Sequence, residues 1–188
     1  MGTWAWIVIA IAVVLAIAAA WIVTTRQRTA RLRERFGPEY ERAVEDREDT
    51  REAEAELRER VRRREQLEIR PLPAEARARY EDEWNAVQAE FVDDPATAIK
   101  EADRLVSDLM RERGYPMDDF EQRAADISVD YPVVVENYRA GHATYLAHDR
   151  GESDTEDLRQ AVVHYRSLFA ELLGSEEART DETVEEAR

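Results

Sequence analysis

The sequence predicts an all-α protein: an N-terminal transmembrane helix, a long charged helix, and then a compact bundle of four to five helices. Three observations predict it. The chain opens on 20 residues, Trp4 to Val23, without a charged side chain. From Glu39 to Glu68 two thirds of the residues are charged, and neither Gly nor Pro interrupts them. Beyond Pro73, apolar residues recur at helical spacing between capping and stop signals, and no run alternates as a strand does.

Residues 1–25 read as a transmembrane signal anchor. At about 1.5 Å per residue the apolar run spans roughly 30 Å, the thickness of the hydrocarbon core of a bilayer. An export signal starts with basic residues and has an apolar stretch of about 7–15 residues. Met1-Gly2-Thr3 has no basic side chain, and the run is longer than that. Ala18-Ala19-Ala20 resembles a cleavage site and leaves an exported helical protein as an alternative. Trp4, Trp6 and Trp21 stand at the two ends, where an apolar ring with a polar N–H suits the headgroup level.

Residues 26–38 form a basic juxtamembrane segment. Arg26, Arg28, Arg31, Arg33 and Arg35 are interrupted only by Glu34. Basic flanks stay on the cytoplasmic side, so the N-terminus is expected outside and the C-terminal domain in the cytoplasm. Arg26, Arg28 and Arg31, with the three tryptophans, are the residues expected at the lipid interface. Ala12, Ala16 and Ala20 recur every fourth residue. That pattern fits an alanine-rich helix, with a homodimer through the transmembrane helix as the other reading.

Residues 39–69 read as a charged helical stalk. Glu54 with Arg58, Glu56 with Arg60, and Glu59 with Arg63 are acid-before-base pairs at helical spacing. Acids gather in the first half and arginines in the second, as the helix dipole favours. A heptad stripe through Tyr40, Ala43, Leu57 and Val61 is broken by Arg47 and Glu54, which argues against a strong coiled coil and for a free-standing spacer, with a weak parallel coiled coil closed by the membrane helices as the other reading.

Residues 70–174 read as the all-α domain, entered through Ile69-Arg70-Pro71-Leu72-Pro73, which cannot continue a helix. Tyr80, Trp84, Val87 and Phe91 line a first helix. Asp94-Pro95 caps and opens a second, lined by Ile99, Ala102, Leu105, Val106, Leu109 and Met110 and stopped at Gly114. Asp119 caps a short helix holding Phe120, Ala124 and Ile127. Pro132 opens another, with Val134, Val135, Tyr138, His142 and Tyr145 inward. The last helix carries Leu158, Ala161, Val162, Tyr165, Leu168, Phe169 and Leu172 and ends at Gly174. Residues 175–188 are acidic and read as a disordered tail.

Composition narrows the function. Residues 36–188 hold 22 basic against 41 acidic side chains, a net charge of −19. Such a body repels nucleic acid. No cysteine occurs, which removes disulfides, thiol catalysis and Cys-ligated metals. His142, His148 and His164 lack the spacing of a metalloprotease helix or a di-iron bundle, so they are expected to fill half-buried positions. Asp93-Asp94, Asp118-Asp119 and Asp126 with Asp130 flank helix ends, where capping accounts for them. No phosphate loop or nucleophile elbow occurs. No cofactor, metal or catalytic residue is expected.

One stretch, RGYPMDDFEQRAADISVDYPVVVENYR, concentrates turns and charges. Two tight interhelical turns braced by ion pairs account for it. The competing reading is a recognition surface for a protein partner, made by Tyr115, Pro116, Arg123, Tyr131 and Arg139.

FVDDP (Phe91 to Pro95), RGYPMDDFEQRAADISVD (Arg113 to Asp130), VVENYR (Val134 to Arg139) and TEDLRQAVVHYRSLF (Thr155 to Phe169) resemble a bacterial family of single-pass, membrane-anchored helical proteins. The resemblance covers most of the chain and implies its architecture, but no activity, ligand or catalytic residue. The expectation is a membrane-anchored cytoplasmic adaptor with the lipid bilayer and a protein as partners. The alternative is a tethered sensor of a small ligand or metal near Tyr138, His142 and Tyr165.

Overall fold

The computed structural model describes residues 3–47 and 49–174; in the first helix it describes the side chains of Trp4 and of residue 15 onward. All the elements found are helices. They are α1 (Thr3–Phe36), α2 (Pro38–Glu45), α3 (Thr50–Glu65), α4 (Ala74–Asp93), α5 (Pro95–Arg113), α6 (Phe120–Ile127), α7 (Val135–Asp149) and α8 (Thr155–Gly174). The chain divides into two compact units, 1–58 and 59–188, and the division falls inside α3.

In the first unit, α1 runs unbroken from the apolar segment through the arginine collar. Gly37, at φ +47°, turns the chain, and Pro38 opens α2 with its ring fixed at a helical φ. Leu32, Phe36, Tyr40, Ala43, Ala53 and Leu57 are buried together with Glu54. The Glu54 carboxylate accepts hydrogen bonds from Thr29 at 2.6 Å, Tyr40 at 3.3 Å and Arg58 at 3.1 Å. These contacts bring the first turns of α3 beside α1.

A single charged stalk over 39–69 is therefore corrected. The helix stops at Glu45, and Asp49 starts a new one by accepting from the Arg51 N–H at 2.8 Å. Acids crowd positions 45, 46, 48 and 49, and aspartate prefers to bond backbone N–H groups outside a helix. The stripe through Tyr40, Ala43 and Leu57 is the small core of this unit. Glu54, which breaks the heptad, lies inside that core.

In the second unit, α5 packs against α4, α7 and α8. Its six stripe residues are fully buried. Trp84 of α4 stacks on Phe169 of α8 with ring centroids 4.6 Å apart. Gly141 gives the Tyr165 ring room beside α7, since a Cβ there would lie 3.1 Å from it. Each large apolar side chain so buried contributes about 1.5–3 kcal/mol before entropy is subtracted. The helix ends follow the capping residues. Asp94 accepts from the Thr97 N–H at 3.1 Å and Asp119 from the Gln122 N–H at 2.8 Å. The seventh helix starts at Val135 rather than Pro132, because Val134 and Val135 both donate to the Tyr131 carbonyl and close a turn first.

The arginine-rich end of α3 belongs to this second unit. Arg63 pairs with Asp126 at 2.9 Å, Arg60 donates to Ser128 at 3.2 Å, and Arg64 pairs with Asp130. These arginines therefore bind the α6 region, which a free spacer would not do. The strap that follows is held by Arg70 N–H donating to the Arg113 carbonyl at 2.8 Å.

That strap crosses Gly114, the left-handed C-cap of α5 at φ +96°. A Cβ there would stand 2.5 Å from the Glu68 carbonyl oxygen. Gly114→Ala combines left-handed strain with a backbone overlap and is expected to cost about 2–3 kcal/mol, read as a lower urea midpoint of the full chain in detergent.

Among the described residues no helix is long and apolar enough to cross a membrane. The side chains of 5–14, half of the apolar run, lie outside that description, and so does Trp6. The acidic tail, 175–188, lies outside the described residues as well.

Candidate functional site

α5 carries one acid on its inner stripe. Asp103 is four residues after Ile99 and three before Val106, so helical geometry turns it inward. Tyr165 of α8 donates to its Oδ1 at 2.6 Å, and His142 Nδ1 of α7 lies 3.1 Å from the same oxygen. Phe120 of α6 stacks flat on His142, with centroids 3.8 Å apart and planes 9° from parallel. Tyr138 packs against both Phe120 and Tyr165. One carboxylate thus joins three helices, and an aromatic ring covers the imidazole.

Burial pushes the Asp103 carboxyl up, but hydrogen bonds from His142 and Tyr165 and the charges of His142 and Arg123 outweigh it. The group is held below the usual carboxylate range. Burial and the Asp103 charge raise the Tyr165 phenol, and burial pushes Tyr138 up to about 12. Both phenols stay protonated at neutral pH, and Tyr165 donates to Asp103. The arrangement is a packed structural node, and its rings fill the place where the sequence suggested a ligand pocket. Among the described residues no group of three or more His, Asp or Glu could hold a metal ion.

The Tyr-Pro stretch builds a second buried network. Arg113, almost fully buried, donates to the Tyr131 hydroxyl at 2.6 Å and to the Leu172 carbonyl at 2.8 Å. Tyr115 donates to Asp130 at 2.5 Å, and Asp130 also holds Arg64. Tyr115, Tyr131 and Arg139 are buried, while Pro116 and Arg123 are half-buried. These are the five residues that the sequence offers as a recognition surface for a protein partner. Their polar atoms brace the turns between α5, α6 and α7, and Arg123 lies over the Phe120 ring.

An open groove of about 400 Å³ runs between α4 and α5, lined by Glu83, Ala86, Val87, Glu90, Glu101 and Leu105 among others. Its floor is apolar and its rim carries three carboxylates. Arg104, the base on that rim, pairs with Glu101 at 2.8 Å and with Asp108 at 2.7 Å.

In the first unit, Trp4 and Trp21 are 77% and 64% exposed, and Leu15, Ile17, Ile22 and Val23 are exposed with them. Arg26, Arg28 and Arg31 are exposed just beyond. Thr24 and Thr25 both donate their hydroxyls to the Trp21 carbonyl, so their polar groups are satisfied within the helix.

Asp103, Arg113 and Glu54 were missed in the sequence as key residues. One signal exposes all three: a charge in register with an apolar stripe. Arg113 is four residues after Leu109, and Glu54 three before Leu57.

No family model, no characterised protein and no solved structure matches this chain.

Proposed function

We propose that the chain is a single-pass, membrane-anchored interaction protein whose helical domain faces the cytoplasm. The observation that carries this reading is α1. It is a 34-residue helix, about 50 Å long, whose described large apolar side chains before the arginine collar are exposed. An apolar patch of that extent needs a covering phase, and a run of 20 uncharged residues fits lipid. Five arginines after the run set the orientation by the positive-inside tendency. Protease treatment of inverted membrane vesicles is expected to digest the helical domain, while intact spheroplasts protect it. Protection in the inverted vesicles and digestion in spheroplasts would reverse the topology.

The partner surface is the α4–α5 groove. Its apolar floor and acidic rim match a basic amphipathic segment, and charge complementarity would steer the encounter. A synthetic helix with Arg on one face and Leu on the other is expected to bind the full chain in nanodiscs, more weakly as salt rises. Glu90→Arg together with Glu101→Arg is expected to weaken that binding at least tenfold. Equal binding by the double variant removes the groove as the surface.

A further inference from the structure

We propose that one face of α1, directly after the apolar run, binds the phosphate of an anionic phospholipid between Arg26 and Arg33. The proposal rests on the membrane reading above and names the lipid that the collar selects. An open trough of about 300 Å³ is lined by Thr25, Arg26, Thr29, Ala30 and Arg33. At 100° per residue, Arg26, Thr29, Ala30 and Arg33 share one side of the helix, whereas Arg28, Arg31 and Arg35 share the other. The floor is small side chains, and Arg26 and Arg33 stand at its ends, their backbones about 10 Å apart along the axis.

Its depth is suitable for a headgroup. Arg26 follows Val23 by three residues, about 4.5 Å, within the several-ångström headgroup layer, and Arg33, about 15 Å beyond Val23, meets a headgroup through its long side chain, which on a helix leans toward the N-terminus and so toward the lipid. The two groups differ in how they are held. Arg33 lies over the Tyr40 ring at 5.0 Å and 3.7 Å from Glu41, so its side chain is already ordered. Arg26 makes no ion pair among the described residues and can turn to the phosphate. The acid bonded to the trough wall is Glu54, through Thr29, and Arg58 offsets its charge. An arginine pair presents planar, multiply donating groups to a phosphodiester, which a lone cation cannot do.

The test reconstitutes the full chain in bilayers of phosphatidylcholine with one fifth phosphatidylglycerol and counts the lipids retained on it by native mass spectrometry. Phosphatidylglycerol is expected to be enriched over its bulk share. Arg26→Gln with Arg33→Gln is expected to lower the retained ratio of phosphatidylglycerol to phosphatidylcholine by more than tenfold, at roughly fivefold for each arginine. Arg28→Gln with Arg35→Gln removes the same charge from the opposite side and is expected to leave most of the enrichment. Equal losses from the two pairs would reduce the effect to unspecific charge and overturn the site, as would no enrichment at all. Alkaline extraction of the same vesicles separates the two readings. A chain that resists extraction but shows no lipid preference sinks only the site, and a chain that washes off sinks the anchor with it.

Discussion

Asp103→Ala is expected to destabilise the helical domain by about 3 kcal/mol, because it leaves the buried Tyr165 hydroxyl and the His142 ring without their shared acceptor. Asp103→Asn keeps an acceptor oxygen and is expected to cost less. Urea unfolding of the full chain in detergent, followed by near-ultraviolet circular dichroism, reads both. A change of only a few tenths would mean that the node is surface decoration and does not hold α5, α7 and α8 together.

The same carboxylate sets a pH dependence whose sign follows from its shift. Asp103 is held below its ordinary range in the folded chain. Its contribution is therefore complete above the unfolded value near 4 and is lost as pH falls through the lower folded value. The stability difference between the wild type and Asp103→Ala is expected to shrink below about pH 4. Asp126 works the other way. Burial raises its carboxyl despite the Arg63 charge and the Gln122 hydrogen bond, so its protonation favours the folded state. Comparison with the Asp103 variant separates the two, since Asp126 is present in both.

The second large effect is at Trp84. Its indole stacks on Phe169 and ties α4 to the α5–α8 core. Trp84→Ala removes that ring and is expected to cost about 3–5 kcal/mol. The buried Nε1–H has no hydrogen-bond partner among the described residues. A stranded donor offsets part of what the ring contributes, so Trp84→Phe is expected to cost far less than Trp84→Ala. Equal losses in the two variants would show that the indole shape, rather than the desolvated N–H, governs the site.

Most of the helical domain was legible because its apolar residues are strongly periodic and its ends carry strong signals. Asp94-Pro95, Asp119 and Gly114 each act in the structure as the capping rules imply. The stalk was misread for a definite reason. Ion-pair spacing supports a helix but cannot say where the chain turns back, and Gly37 with the acidic stretch around Asp49 does that here. Nor does charge density reveal burial. The end of α3 looks like solvated surface in the sequence, yet its partners, Asp126 and Ser128, are 63 and 68 residues away. Long-range pairing of that kind leaves no periodic trace. The Tyr-Pro stretch stands out in the sequence for its turns and charges, and in the structure Tyr115 and Tyr131 bond Asp130 and Arg113. The groove between α4 and α5 escaped notice because exposed glutamates on a helix are the commonest surface there is.

We propose that the apolar half of α1 is held in lipid with the arginine collar on the cytoplasmic side. Paired fusions behind Arg188 test it most directly, one to a fluorescent protein that matures only in the cytoplasm and one to a phosphatase active only outside it. Bright cells and silent phosphatase are expected, with the fluorescence in the membrane fraction after alkaline washing. Active phosphatase with dark cells would contradict it.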